Sequence, residues 1–211
     1  MSRDVSFDRR LRYRACMTDA FPDRRKLVVL AILFEGGLAL AALALGWLLN
    51  QAPLQYLTWD LEEFAFGLAA TFPMLLGLVL CLRSRSGPLL RIRKLLDDIV
   101  APLFQGCSPA EVALIAVLAG VGEEMLFRGV LQVWFARWLG VWGSIAALNV
   151  LFGLLHSVTP LYGMVAGATG VYLSCLFLWR GSLWVVILPH ALFDLAGLLY
   201  VVYRPPTQPR P

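Results

Sequence analysis

Long apolar runs separated by short polar segments dominate the sequence. About 20 apolar residues are needed for a helix to cross the hydrocarbon core of a bilayer. The runs that approach or exceed this length are residues 27–49, 64–82, 109–139, 141–156, 162–179 and 183–203. The third run begins at Ser108-Pro109-Ala110-Glu111, a capping box with proline at the first helical position. The pattern predicts an all-α polytopic membrane helix bundle with about six spans.

The segment between the second and third runs has a different, amphipathic pattern. Its apolar residues recur at helical spacing, and charged residues fill the opposite face. The apolar set is Leu89, Ile92, Leu95, Leu96, Ile99 and Leu103, and the charged set is Arg91, Arg93, Lys94, Asp97 and Asp98. This pattern predicts one helix in the cytoplasmic interface of the membrane. We interpret it as a connector whose apolar face packs on the bundle, with a gate or substrate-guiding element as the alternative.

The composition excludes the soluble classes of protein. Of the 211 residues 59% are hydrophobic and 15% are charged, and the mean hydropathy is +0.73. Typical soluble domains have roughly 45–50% apolar and about 25% charged residues.

The cysteines are far apart in sequence and form no C-x-x-C motif, so neither a disulfide framework nor a thiolate metal site is indicated. They are Cys16, Cys81, Cys107 and Cys175.

The basic residues flank the apolar runs asymmetrically. Arginines are frequent in residues 1–26 and again after the second run, whereas the loop 50–63 has no lysine or arginine. The positive-inside rule therefore predicts that both termini are cytoplasmic, and we attribute the net charge of +4 to topology rather than to nucleic-acid binding. The sequence has sixteen arginines but only two lysines. This bias suggests a G+C-rich coding sequence and therefore a bacterial source. We accordingly expect the protein in a bacterial inner membrane.

Several ionisable residues lie inside the predicted spans. Such residues are costly in lipid and indicate a functional site. The group consists of Glu123, Glu124, Arg128, His156, His190 and Asp194, and it includes both histidines of the chain. Glu35 stands by itself in the first span and is interpreted as a protonated or polar-contacted packing residue.

Helix geometry separates the roles of the two adjacent glutamates. Glu124 and Arg128 are four residues apart with the acid first, so they can neutralise each other. Glu123 points about 100° away from Glu124 and has no such partner, which makes it the candidate general base.

The turn near Gly140 brings a histidine to the level of Glu123. Glu123 lies 17 residues before Gly140 and His156 lies 16 residues after it. Two antiparallel helices joined at Gly140 would therefore place both side chains roughly 25 Å from the turn. Two further pairs four residues apart, His190 with Asp194 and Phe152 with His156, each share a helix face.

Three motifs in these segments resemble those of a known family. Residues 123–128 match E-E-x-x-x-R, residues 152–156 match F-x-x-x-H, and residues 190–194 match H-x-x-x-[N/D]. In this order, on membrane helices, they resemble the intramembrane glutamic endopeptidases of the CPBP (Abi, CAAX-protease and bacteriocin-processing) family. The resemblance covers residues 105–203 and implies a catalytic helix bundle there. Residues 1–104, with an N-terminal tail, two spans and the interfacial helix, carry no family motif, and the proline-rich residues 204–211 are expected to form a disordered tail.

The resemblance also implies a role for each site residue. Glu123 would activate water with the help of His156, and His190 and Asp194 would stabilise the oxyanion of the tetrahedral intermediate. Glu124, Arg128 and Phe152 would support them, and no cofactor is expected. The family more often has asparagine where this chain has Asp194. An ionised Asp194 cannot donate a hydrogen bond, so it is either protonated or it orients His190.

Two other classes of protein remain alternatives. Two histidines and two carboxylates could bind zinc in a membrane metallopeptidase, although the sequence has no H-E-x-x-H motif. The same polar cluster could instead serve a non-catalytic immunity or transport protein, although no internal repeat is visible. For the endopeptidase we expect a membrane-associated protein or peptide as the substrate, and no nucleic acid as a partner.

Overall fold

The computed structural model describes residues 24–203, and within this range the chain is helical and contains no strand. The helices are α1 Arg24–Leu48, α2 Leu61–Arg83, α3 Gly87–Leu95, α4 Ala101–Phe104, α5 Pro109–Glu124, α6 Val133–Leu155, α7 Pro160–Arg180 and α8 Trp184–Tyr203. A 3-10 turn spans Pro53–Tyr56, and π-helical segments at Leu96–Val100 and Met125–Gln132 join α3 to α4 and α5 to α6. The predicted all-α membrane bundle is confirmed. The predicted N-terminal segment, with Cys16, and the predicted tail 204–211 lie outside the described residues.

Five helical stretches of the described residues are long and apolar enough to cross a membrane. One of them, Pro109–Leu155, has 47 residues, which would make a straight helix about 70 Å long. The backbone leaves helical geometry at Gly140, with φ 69° and ψ 171°, a conformation that glycine adopts without strain. Beyond it, Ser144 Oγ donates a hydrogen bond to the Gln132 carbonyl at 2.7 Å. The chain therefore turns back at Gly140, and the two arms are the predicted third and fourth spans.

Side-chain caps begin two of the helices that carry site residues. At the start of α5, Ser108 Oγ accepts from the Glu111 amide at 3.2 Å and Glu111 Oε2 accepts from the Ser108 amide at 2.7 Å, which is the predicted capping box. Thr159 caps α7 by accepting from the Tyr162 amide at 3.2 Å. Each cap satisfies amide groups that the first helical turn leaves without partners.

The amphipathic segment is shorter as a regular helix than the sequence predicts. In α3, Ile92 and Leu95 are buried while Arg91 and Lys94 are exposed, so the apolar face packs on the bundle as the connector interpretation requires. The following segment, Leu96–Val100, is π-helical. Its wider turn rotates the apolar stripe, and Ile99, predicted to lie on the packed face, is 43% exposed.

Contacts at the two ends of the bundle agree with successive spans that cross the membrane in opposite directions. At one end, Arg180 Nη2 at the end of α7 lies 2.6 Å from Glu62 Oε1 and 2.5 Å from Glu63 Oε1 at the start of α2. At the other end, the Tyr203 hydroxyl at the end of α8 donates to the Cys107 carbonyl at 2.7 Å, just before α5. The first of these ends contains Glu62 and Glu63 of the loop 50–63, which has no lysine or arginine.

The packing order puts α5 and α8 next to each other, between α1 and α2. Helix α5 packs against both α1 and α8, α2 packs against α8, and α6 packs against α7. The outer faces of the helices are apolar, as lipid contact requires: Leu33 is 66% exposed and Trp47 is 83% exposed. The ionisable residues of α5 and α8 consequently face each other inside the bundle.

Candidate active site

The first two site residues end a regular helix. Glu123 and Glu124 are the last residues of α5, and both are buried. The chain continues as the π-helical segment Met125–Gln132, where the sequence predicted an uninterrupted α-helix to residue 139, so that prediction was wrong here. A π segment spaces side chains more widely than an α-helix, and such segments are frequent at functional sites. Here it carries Arg128 into the interior.

Glu124 bonds to two partners rather than one. Its Oε1 atom accepts from Arg128 Nη1 at 2.8 Å, as the four-residue spacing predicts, and it also lies 2.6 Å from His190 Nδ1 on α8. The Glu124 side chain is fully buried. The interpretation of Glu124 and Arg128 as a self-sufficient pair was therefore incomplete, because the same carboxylate fixes a histidine of another helix.

Arg128 extends this network to two further helices. Its Nη2 atom donates to the Gly170 carbonyl of α7 at 2.9 Å and to Asn149 Oδ1 of α6 at 3.3 Å. Asn149 Nδ2 donates in turn to Ser174 Oγ at 2.9 Å. Asn149 and Ser174 were not predicted from the sequence. Asn149 could have been found, because it is a polar residue inside a span and lies nine residues after Gly140, while Arg128 lies twelve residues before it.

Glu123 faces both histidines without forming a hydrogen bond to either. Its Oε2 atom lies 3.8 Å from His156 Nε2 and 3.9 Å from His190 Nε2, and both distances are longer than a hydrogen bond. The predicted proximity of Glu123 and His156 is thus observed. The Oε2 atom is buried and has no hydrogen-bond partner, although the neighbouring His156 side chain is about one-third exposed.

The carbonyl group and the ring of Phe152 both orient His156. The imidazole Nδ1 lies 2.9 Å from the Phe152 carbonyl, and since a carbonyl only accepts, Nδ1 carries the proton of this bond. In its neutral form the imidazole then has a lone pair at Nε2, the atom that lies 3.8 Å from Glu123 Oε2. The His156 ring also stacks on the Phe152 ring with centroids 4.2 Å apart, and the Arg128 guanidinium lies 5.1 Å from the centroid of Phe152.

The nitrogens of His190 face different carboxylates. Nδ1 makes the short contact with Glu124, and Nε2 lies 3.4 Å from Asp194 Oδ2 on the same helix. The closest orienting carboxylate of His190 is therefore Glu124, a contact that the sequence analysis did not predict. The Asp194 side chain is 34% exposed and lies on the open side of the cluster.

Further ionisable side chains lie at the edge of this cluster. Glu35 of α1 interacts electrostatically with Glu123, Asp194 and both histidines, and Tyr162 of α7 interacts with Asp194 and Glu123. From the sequence Glu35 was interpreted as an isolated packing residue, whereas the structure brings it within electrostatic range of the other acids. It was missed because nothing in the sequence specifies which residue of α5 meets α1.

Across the described residues 24–203, no three His, Cys, Asp or Glu side chains are grouped in a way that could hold a metal ion. The four residues proposed from sequence for catalysis nevertheless lie together: Glu123, His156, His190 and Asp194. A buried carboxylate beside two imidazoles can take a proton from water and stabilise developing negative charge.

Part of the chain matches a known protein family. Residues 106–196 match the family model described as Rce1-like, type II CAAX prenyl endopeptidase Rce1-like. This agrees with the family indicated by the three motifs, all of which lie within the matched residues. No curated protein and no solved structure matches the chain. Over residues 106–196 the chain is thus similar to intramembrane endopeptidases.

Proposed function

We propose, from the match of residues 106–196 to the Rce1-like endopeptidases, that this chain hydrolyses a peptide bond with water activated by Glu123. The observation that carries the proposal is the Oε2 atom of Glu123, which is buried, has no hydrogen-bond partner and lies within 4 Å of Nε2 of both histidines. A carboxylate oxygen in such surroundings is available to a water molecule. The histidines flank the position where the water and the substrate carbonyl would meet.

The first chemical step is attack by water. Glu123 takes a proton from the water molecule. The water oxygen forms a bond to the carbonyl carbon of the substrate, and the carbonyl π electrons move onto the carbonyl oxygen. His156 is oriented through its Nδ1–H bond to the Phe152 carbonyl, so its Nε2 lone pair can accept the second water hydrogen. No acyl-enzyme forms, because the nucleophile is water itself.

The second step requires stabilisation of the oxyanion and collapse of the intermediate. His190 donates through Nδ1 to Glu124, and in its imidazolium form its Nε2–H can donate to the oxyanion. Glu124 favours this form and fixes the ring, as a carboxylate does for the histidine of a catalytic triad. The C–N bond then breaks, and the proton held by Glu123 passes to the leaving amine.

A comparison of membrane proteomes tests the function directly. Cells that express the wild-type chain are compared with cells that express equal amounts of the Glu123→Gln variant, and new protein N-termini are mapped by mass spectrometry. We expect one or a few membrane-associated proteins to show N-termini that depend on Glu123. Identical sets of N-termini in the two strains would contradict the proposed function and favour a non-catalytic immunity or transport protein.

The proposed mechanism needs no metal, and this separates it from the zinc alternative. We expect the purified protein to keep its activity in phenanthroline or EDTA, because in the proposed mechanism Glu123, and not a metal ion, activates the water. A known zinc metallopeptidase assayed in the same detergent serves as the control for effective chelation. Loss of activity that added zinc restores would identify a metallopeptidase instead.

The structure also sharpens the expectation for Asp194. Because Glu124 already orients His190, Asp194 is free to act as a protonated donor to the oxyanion. We expect Asp194→Asn, which still donates a hydrogen bond, to retain activity within about tenfold of wild type. Asp194→Leu should lose roughly 10²- to 10³-fold in kcat, the usual cost of one oxyanion donor. A folded but inactive Asp194→Asn would show that the carboxylate charge is what matters.

The location of the protein forms part of the same proposal. We infer an orientation with both termini in the cytoplasm, in a bacterial inner membrane, from the arginine-rich flanks of the spans and the acidic loop 50–63. Reporter fusions at either terminus and in this loop would test it. A terminus that is accessible only from outside the cell would reverse the orientation.

A further inference from the structure

Glu35 lies in the first span, which the family match does not reach. The matched residues begin at 106, and the three motifs lie in α5 and later helices. Glu35 is nevertheless the one carboxylate of α1, and α1 packs along α5, which carries Glu123. A carboxylate that faced only lipid here would be costly and would have no use.

A close backbone contact fixes the position of Glu35 relative to the site. The Glu35 carbonyl oxygen approaches Gly122 so closely that a Cβ atom at position 122 would collide with it. Leu38 Cβ and the Ala39 amide nitrogen, on the next turn of α1, would also lie within 3.2 Å of that Cβ atom. Glycine at 122 thus lets α1 come into backbone contact with α5 one residue before Glu123, and Glu35 is held at the level of the catalytic carboxylate.

Both carboxylates have an oxygen whose hydrogen bonding the protein leaves unsatisfied. The Oε2 atoms of Glu35 and Glu123 are each buried without a hydrogen-bond partner. Buried polar atoms are nearly always paired with protein or with ordered water, and an exception needs an explanation, such as a catalytic role or a bound water molecule. The groups that face Glu35 electrostatically are Glu123, Asp194, His190 and His156, which are the four proposed catalytic residues.

We propose that Glu35 is a positioning residue of the active site, contributed by the first span, which holds the water molecule that Glu123 deprotonates. This inference rests on the proposed function. In the reaction Glu35 keeps its own protonation state and hydrogen-bonds the water, while Glu123 receives the proton and later returns it to the leaving amine. Two oxygens from different helices then direct the water oxygen toward the carbonyl carbon, which lowers the entropic cost of attack.

A pair of nearly isosteric variants tests this role. Methionine and glutamine both have almost the shape of glutamate, but only glutamine can hydrogen-bond a water molecule. The substrate probe is a fluorogenic peptide that carries the cleavage sequence mapped from the Glu123-dependent N-termini. We expect Glu35→Met to lose roughly 10- to 100-fold in kcat with little change in KM, because the peptide still binds but the water is misplaced. Glu35→Gln should lie closer to wild type.

A packing role for Glu35 predicts the opposite order of the two variants. If Glu35 only fills space between α1 and α5, the apolar methionine suits the bilayer better than the amide, and Glu35→Met keeps the wild-type kcat, which would overturn the proposal. Leu38→Ala, which removes a neighbouring packing contact of α1, is the matched control and should leave kcat within about twofold of wild type. Equal loss of kcat in folded Glu35→Met and Glu35→Gln would also contradict the proposal, because glutamine can still hydrogen-bond the water molecule.

Controls separate this proposal from the function on which it rests. If wild type cleaves the probe and Glu123→Gln does not, the proposed function stands, and only the Glu35 variants decide the present inference. If wild type forms no Glu123-dependent N-termini, both fall together. Thermal unfolding in detergent measures folding, and if Glu35→Met and Glu35→Ala both fail to fold, Glu35 is structural and the inference is wrong.

Discussion

Replacement of Glu123 by glutamine is expected to abolish peptide cleavage while the protein stays folded. Glutamine has nearly the same shape as glutamate but cannot take a proton from water, and general bases contribute about 10²- to 10⁴-fold to rate. The Oε2 atom of Glu123 has no hydrogen-bond partner, and its distances to both histidines exceed those of hydrogen bonds. No short contact is therefore lost, and we expect the apparent Tm in detergent to stay close to that of wild type.

The measurement for Glu123→Gln combines cleavage of the fluorogenic peptide with thermal unfolding of the same preparation. Glu123→Asp provides a further comparison, because it keeps a carboxylate but shortens the side chain by one methylene group. Partial activity in the aspartate variant and none in the glutamine variant would support a role in proton transfer. Wild-type turnover by a folded Glu123→Gln would contradict the assignment of the general base.

Replacement of the neighbouring Glu124 by glutamine is expected to damage both stability and activity. Glu124 is fully buried and its Oε1 accepts from Arg128 and from His190. A neutral amide leaves the guanidinium of Arg128 without its countercharge in the interior, and removal of one partner of a buried ion pair costs about 3–5 kcal/mol. His190 also loses the carboxylate that fixes its ring, so any folded fraction should cleave slowly.

A double variant separates these two effects of Glu124. In Glu124→Gln/Arg128→Gln no unpaired charge remains in the interior, so we expect thermal stability to recover in part. Cleavage should stay low, because Nδ1 of His190 still lacks an ionised acceptor. Recovery of both stability and cleavage in the double variant would show that Glu124 serves only to neutralise Arg128, as its spacing in the sequence first suggested.

Local rules account for the parts of the site that lie on one helix or one hairpin. The four-residue spacing of Glu124 and Arg128 predicts their ion pair, because such residues share a helix face. The positions of Glu123 and His156 on either side of Gly140 predict a shared depth, because the rise per residue of a helix is constant. The capping box at Ser108 marks the start of α5 through the amide groups that the first turn leaves unpaired.

Contacts between helices distant in sequence could not be predicted in this way. The bond from His190 to Glu124 depends on the rotation of α8 about its axis relative to α5, and the position of Glu35 beside the site depends on the approach of α1 to Gly122. The π segment that carries Arg128 likewise has no marker in the sequence. Packing of whole helix faces decides these rotations and approaches.

The sequence alone therefore determined the membrane class, the helices, the turn at Gly140 and the residues available for chemistry, because hydrophobicity, helix periodicity and capping act over a few neighbouring residues. Only the tertiary structure decided which carboxylate holds His190 and which acids share one site. Those choices depend on side chains 66 residues apart in the case of Glu124 and His190, brought to a separation of 2.6 Å by the packing of α8 against α5.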